Sequence, residues 1–154
     1  MNIQLRRVIL HVAVIVTVVI SGILTQPNGA LAASNLAKQP AMDVNVTLGN
    51  EAGDLQFFPA HLQFEPGRRY NLHLNNPSNQ KHYFTAKDFA DGIWSQKVDA
   101  GNVEIKGAIH ELELRSHTQA DWVFIPLRSG TYSLRCTVPG HTEAGMVGTI
   151  EIAG

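Results

Sequence analysis

Apolar and polar side chains alternate along the chain in short bursts. Val44, Val46 and Leu48 alternate with Asn45 and Thr47, and Tyr70, Leu72 and Leu74 alternate with Asn71, His73 and Asn75. Leu62 and Phe64 alternate before Glu65, Leu112 and Leu114 share one side of Ile109–Leu114, and Tyr132, Leu134 and Cys136 repeat the pattern. A period of two sends successive side chains to opposite faces, so each burst reads as a strand with one buried face. Strands are expected over 43–48, 70–75, 82–85, 109–114, 121–127, 132–136 and 146–152. Turn signals separate them: Glu65-Pro66-Gly67, Asn76-Pro77-Ser78-Asn79 and Ser129-Gly130. Asp88–Ala108, with Gly92, Gly101 and Gly107, is the least regular stretch. Loops are expected there, with a short helix around Lys87 to Trp94. About seven or eight short strands with no convincing amphipathic helix predict an all-β domain, a β-sandwich. Phe57, Phe84, Trp122 and Phe124 are its expected core aromatics.

The first thirty-odd residues follow a different pattern. Arg6 and Arg7 precede an apolar run, Val8 to Leu24, broken only by His11, Thr17, Ser21 and Gly22, and Ala30-Leu31-Ala32 follows. A basic start, an apolar stretch and small residues in that order describe a secretory signal peptide, with cleavage expected near Ala32 or Ala33. The apolar run is also about as long as a short membrane span, so an uncleaved anchor is the rival reading. The expected organisation is a signal segment over 1–33, a linker over 34–42 and one domain over 43–154.

Composition narrows the function. The chain has 154 residues, 44% hydrophobic and 16% charged, with a formal net charge of −1. These values suit a packed domain and give no electrostatic reason to expect nucleic-acid binding. Without residues 1–33 the chain keeps ten Lys and Arg against thirteen Asp and Glu, a formal charge of −3. The single cysteine, Cys136, excludes an intramolecular disulfide. In an exported protein a lone cysteine is a reactive thiol, an intermolecular bridge or a ligand.

The segment Cys136-Thr137-Val138-Pro139-Gly140-His141-Thr142-Glu143-Ala144-Gly145-Met146 decides among these. It places a thiolate, an imidazole and a thioether on one loop between two strands, where three side chains can turn towards one point. These soft and borderline donors suit copper, including Cu(I). The upstream candidate for a fourth donor is His82, which follows the Asn76–Lys81 loop and opens the β-type run His82-Tyr83-Phe84. Two His and one Cys in a trigonal plane with a weak axial Met is the donor set of an electron-transfer copper site.

Cys-x4-His-x4-Met, with Pro139-Gly140 before the His and Gly145 before the Met, resembles the cupredoxins, the plastocyanin, azurin, auracyanin and rusticyanin group. The loop spacing is most similar to auracyanin and rusticyanin, and the resemblance spans roughly Asp43 to Ala153. It implies a Greek-key β-sandwich and one copper ion cycling between Cu(I) and Cu(II). It also implies His82, Cys136 and His141 as strong ligands and Met146 as the axial one. In many relatives the residue after the upstream His is a small polar one that braces the Cys loop; here it is Tyr83.

The other histidines are read as solvated: His61 at a strand start, His73 on the outward side of its strand, and His110 and His117 flanking a polar strand and a turn. The functional expectation is an exported electron carrier, monomeric, with transient redox protein partners, in a periplasm or thylakoid lumen. The membrane enters only through the N-terminal segment if that is uncleaved. No paired carboxylates or nucleophile–base arrangement suggests an enzyme. The alternative is a copper carrier or storage protein of the same compartment. With only three Met in the chain, it lacks the Met-rich surface that would favour that role. A module acting with a larger copper enzyme is a third reading, and zinc would compete poorly with copper for these donors.

Overall fold

The computed structural model describes residues 35–154. The expected signal segment, with its cleavage or anchoring, lies outside the described residues. Among the described residues no helix is long and apolar enough to cross a membrane.

Among the described residues eleven strands form two sheets. In chain order they are β1 Met42–Leu48, β2 Phe57–Phe58, β3 His61–Phe64, β4 Tyr70–Asn76, β5 His82–Thr85, β6 Ile93–Ala100, β7 Val103–Ile105, β8 Glu111–Leu114, β9 Thr118–Pro126, β10 Gly130–Arg135 and β11 Val147–Ile152. One sheet has the order β2-β1-β4-β9-β6-β7 and the other β3-β11-β10-β5-β8. This is the all-β Greek-key sandwich expected, with more strands than the seven or eight read from alternation. Two of the extra ones are short edges: β2 has two residues and β7 three, all of the latter exposed. A period of two cannot show itself over so few positions.

The one substantive difference lies in 88–108, expected to be loops. Lys87–Ala90 is indeed a single-turn helix, but β6 then runs for eight residues alongside β9. Only Val98 in β6 is buried, and the register shifts between Ser95 and Lys97. The extra residue of this bulge, Gln96, breaks the alternation that would have marked the strand.

The core lies between the sheets. Phe64, Phe89, Trp122 and Phe124 meet mostly edge to face, and Phe84 links Trp122 to Phe57 at centroid separations of 6.2 and 6.1 Å. Each such side chain stabilises the fold by about 1.5–3 kcal/mol on burial. The indole N–H of Trp122 donates to Ser95 Oγ at 2.8 Å, so this large ring is buried without an unmet donor. Ahead of β1, residues 35–41 are tied to the sheet. The Gln39 side-chain amide donates to the Gly67 carbonyl, and Arg69 donates to the Gln39 carbonyl and to Gln96.

The outer face of the first sheet is polar. His73 on β4 sits between Asp121 of β9, 2.5 Å from Nδ1, and Asp43 of β1, 2.8 Å from Nε2, with Asn71 beside it. The hydrogen bonds first to Asp43 and then to Asp121 raise the His73 pKa above its ordinary 6.5. A pKa raised by folding means the charged imidazole stabilises the native state fully below pH 6.5, and this support fades as pH climbs through the raised value. With a third of the side chain in water the contribution is under about 1 kcal/mol. His73→Gln is therefore expected to narrow the difference in urea midpoint between pH 5.5 and 8.5. An unchanged difference would remove the assignment.

Candidate metal centre

The site forms at one end of the sandwich, where β1, β4 and β10 finish and β5 and β11 begin. On β5 the period of two turns His82 and Phe84 inward, both buried, and leaves Tyr83 and Thr85 on the outer side. Cys136 directly follows β10 and Met146 directly precedes β11. The Cys136 N–H donates to the Met146 carbonyl at 3.0 Å, and the Met146 N–H to the His141 carbonyl at 2.9 Å. These bonds close the base of the intervening loop. Within it the His141 N–H reaches the Val138 carbonyl, and the Ala144 N–H the Gly140 carbonyl, each at 3.0 Å. Gly140, at φ +84°, takes the left-handed backbone that presents His141 inward.

Three of the four expected ligands meet in space. Cys136 Sγ lies 3.5 Å from His141 Nδ1 and 3.9 Å from His82 Nδ1. One ligand atom from each of these residues falls within 4.8 Å of the others. Donors in a trigonal plane with bonds of about 2.0–2.3 Å stand about 3.5–4 Å apart, so the spacing fits a single ion. Cys136, His82 and Met146 have no exposed surface, and His141 is 8% exposed. The main chain of Met146 is hydrogen-bonded to those of Cys136 and His141 by the loop closure. His61, His110 and His117 are exposed and His73 half-buried, all held by surface partners.

Burial, and then the neighbouring His141, push the His82 pKa down to about 4. At neutral pH its imidazole is uncharged and has a lone pair for a metal without a proton to displace. Its Nε2 is buried without a hydrogen-bond partner and sits against Gly49, the residue just after β1. A Cβ on Gly49 would lie 2.7 Å from that Nε2, and the Gly49 backbone is left-handed at φ +70°. Gly49→Ala is expected to lower stability by about 1–2 kcal/mol from the backbone alone. It also forces His82 away from Cys136. Copper titration followed by visible absorption checks this, and a wild-type affinity and spectrum would contradict the contact.

The departure at Tyr83 has a structural resolution. What residue 83 gives the thiol is its main chain: the Tyr83 N–H donates to Cys136 Sγ at 3.3 Å. The phenol points outward to Glu113 and Lys81. Thr142 Oγ1 donates to the Cys136 carbonyl at 2.7 Å and holds the same residue from the loop side. Neither Gly49 nor these braces were read from the sequence. The one available signal was a glycine ending an alternating strand close to the expected site.

Comparison with known proteins agrees with this geometry. Residues 44–153 match the family model for copper binding proteins of the plastocyanin/azurin family. Among solved structures, the chain is similar to dithionite-reduced auracyanin from the photosynthetic bacterium Roseiflexus castenholzii, with 18% identity and a TM-score of 0.54 over 75% of this chain and 100% of that one. Auracyanin B is similar at 21% identity and a TM-score of 0.54, over 76% of this chain and 92% of that one. The McoA multicopper oxidase of the hyperthermophile Aquifex aeolicus matches with a TM-score of 0.59 at 12% identity, but only 30% of its length is covered, against 75% of this chain. At these identities the structural matches establish the fold. The family match spans most of the chain, and its donors converge as one copper ion requires: the protein belongs to the plastocyanin/azurin family of copper-binding proteins.

Proposed function

We propose that the protein carries single electrons between redox proteins of an exported compartment, with His82, Cys136 and His141 as the strong copper ligands and Met146 as the axial one. The observation that carries this reading is the buried meeting of one thiol and two imidazoles on a loop held by its own main chain. When bound, copper supplies a one-electron couple between Cu(I) and Cu(II). The chain's part is to keep the donors still. The loop-closing bonds of Cys136 and Met146, and the Tyr83 N–H on Sγ, fix the sulfur in one place. A site that changes little between oxidation states has a small reorganisation cost.

Of the expected ligands only His141 reaches the surface, at 8% exposure. Pro139, Gly140, Ala144 and Gly145 on the same loop are exposed. Glu143 is the one charged residue in this loop. A small, nearly uncharged rim suits brief redox encounters, which bury little surface. As an electron carrier the protein is assigned no enzymatic step.

The test compares two rates in the copper-loaded protein: electron self-exchange, and loss of copper to a chelator. A carrier of electrons exchanges electrons quickly and holds copper. A copper-delivery protein does the reverse, and that result would overturn the proposal. Met146→Leu is expected to keep copper and the visible band while raising the reduction potential, because a weak sulfur donor to the oxidised ion is lost. An unchanged potential on voltammetry would take Met146 out of the ligand set.

A further inference from the structure

We propose that Glu111 is a positioning residue for the copper thiolate, performing through its carboxylate the bracing that Tyr83 cannot perform with its side chain. Glu111 opens β8, directly opposite Thr85 at the end of β5. One carboxylate oxygen, Oε2, accepts from Thr85 Oγ1 at 2.7 Å and from Thr137 Oγ1 at 2.8 Å. Thr137 is the residue immediately after Cys136. The two hydroxyls stand 3.2 Å apart, and each has one proton, so an acceptor-only group between them satisfies both at once. The carboxylate therefore links three separate pieces of chain: β8, the end of β5, and the start of the ligand loop.

The need for such a link follows from the topology. β5 and β10 share a single registered pair, Arg135 with Thr85, before the chain leaves the sheet at Cys136. The ladder that fixes β10 on its other side is with β11, the strand that receives the other end of the same loop. Position 83 carries an aromatic ring turned towards Glu113 and Lys81, so it sends no side chain across to the loop. The polar contacts between the Cys136 loop and the His82 strand then include the Tyr83 N–H on Sγ, the Thr85–Thr137 hydroxyl pair and the Glu111 carboxylate that bridges that pair. The bridge sits one residue from the ligand on the loop and three from His82 on the strand. It fixes the separation of the two donors without touching the ion.

The ligand assignment belongs to the proposed function, but the bridge itself can be tested without copper. In the copper-free protein Cys136 is fully buried, so alkylation requires the loop to open. Glu111→Ala is expected to speed alkylation of Cys136 by iodoacetamide on the order of tenfold under native conditions, the effect of losing one or two charge-assisted hydrogen bonds. The increase is expected to be independent of low urea concentrations, which marks local opening rather than global unfolding. Glu111→Gln keeps an acceptor oxygen and drops the charge, so it is expected to stay within about twofold to threefold of wild type. In the copper-loaded protein Glu111→Ala slows electron self-exchange and Glu111→Gln restores most of the rate. Equal behaviour of the two variants would mean that charge alone acts there, and wild-type alkylation in Glu111→Ala would mean that no bracing exists; either overturns the proposal. If the protein gives no visible band with copper while the alkylation difference persists, the ligand reading fails and the bridge stands.

Discussion

Copper-loaded Cys136→Ser is expected to lose the intense visible thiolate-to-copper absorption entirely while the sandwich remains folded. The band requires a sulfur bonded to the oxidised ion, and Cys136 is the only cysteine. A serine hydroxyl at this position keeps the proton that a thiol gives up to a metal, and oxygen is a harder donor than the soft set copper selects here. The fold should tolerate the change. The Tyr83 N–H that now reaches Sγ at 3.3 Å can donate to the hydroxyl, and the backbone closure between Cys136 and Met146 does not involve the side chain. The variant should therefore keep its circular dichroism and most of its unfolding free energy. Replacing the exposed His61, His110 or His117 with alanine should leave the spectrum as it is. A Cys136→Ser protein with the wild-type band would refute the ligand assignment.

The second large effect is expected on stability. Asn76, at the end of β4, is fully buried and polar. Its amide nitrogen donates to the carbonyls of Gln80, Leu114 and Arg115 at 2.8, 3.0 and 3.1 Å. Its Oδ1 accepts from the N–H and the hydroxyl of Ser78 at 3.1 and 2.8 Å. One side chain thus shapes the 77–81 loop that delivers His82 and pins it to the β8–β9 connection. Asn76→Ala leaves several buried groups without partners, at about 1–3 kcal/mol each, and part of that is recovered by relaxation. A net loss of about 3–5 kcal/mol is expected against a total of about 5–15 kcal/mol for a domain. Asn76→Asp should be no better, since it turns an acceptor towards carbonyl oxygens. The exposed neighbour Asn79 serves as the control, with Asn79→Ala expected within about 0.5 kcal/mol of wild type. Urea unfolding of the copper-free protein measures all three, and an Asn76→Ala midpoint equal to that of Asn79→Ala would contradict the network.

What the sequence revealed and what it hid have a common physical basis. β1, β4 and β11 were legible because one face of each is buried and the other wet, so the period of two is written in residue type. β6 was not, because it buries one residue and carries a bulge. β7 was not, because all three of its residues are exposed. In the site, Cys136, His141 and Met146 were readable because one loop holds them at fixed spacing. His82 was readable because a strand start after a loop is a place where a ligand can meet that loop. The supporting residues gave no such sign. Gly49, Asn76 and Glu111 act through contacts across sheets and loops, at sequence separations that only the folded chain closes. Tyr83 shows the limit of reasoning from residue type: the thiol is braced by its main chain, which any residue but proline would supply.

The most direct test is X-ray absorption at the copper edge of the copper-loaded protein at neutral pH, with copper content measured on the same sample. One copper per chain, bound by a single short copper–sulfur bond and two imidazole nitrogens, is the expected result. A shell of nitrogen and oxygen donors without the short sulfur, with Cys136 still open to alkylation, would contradict it.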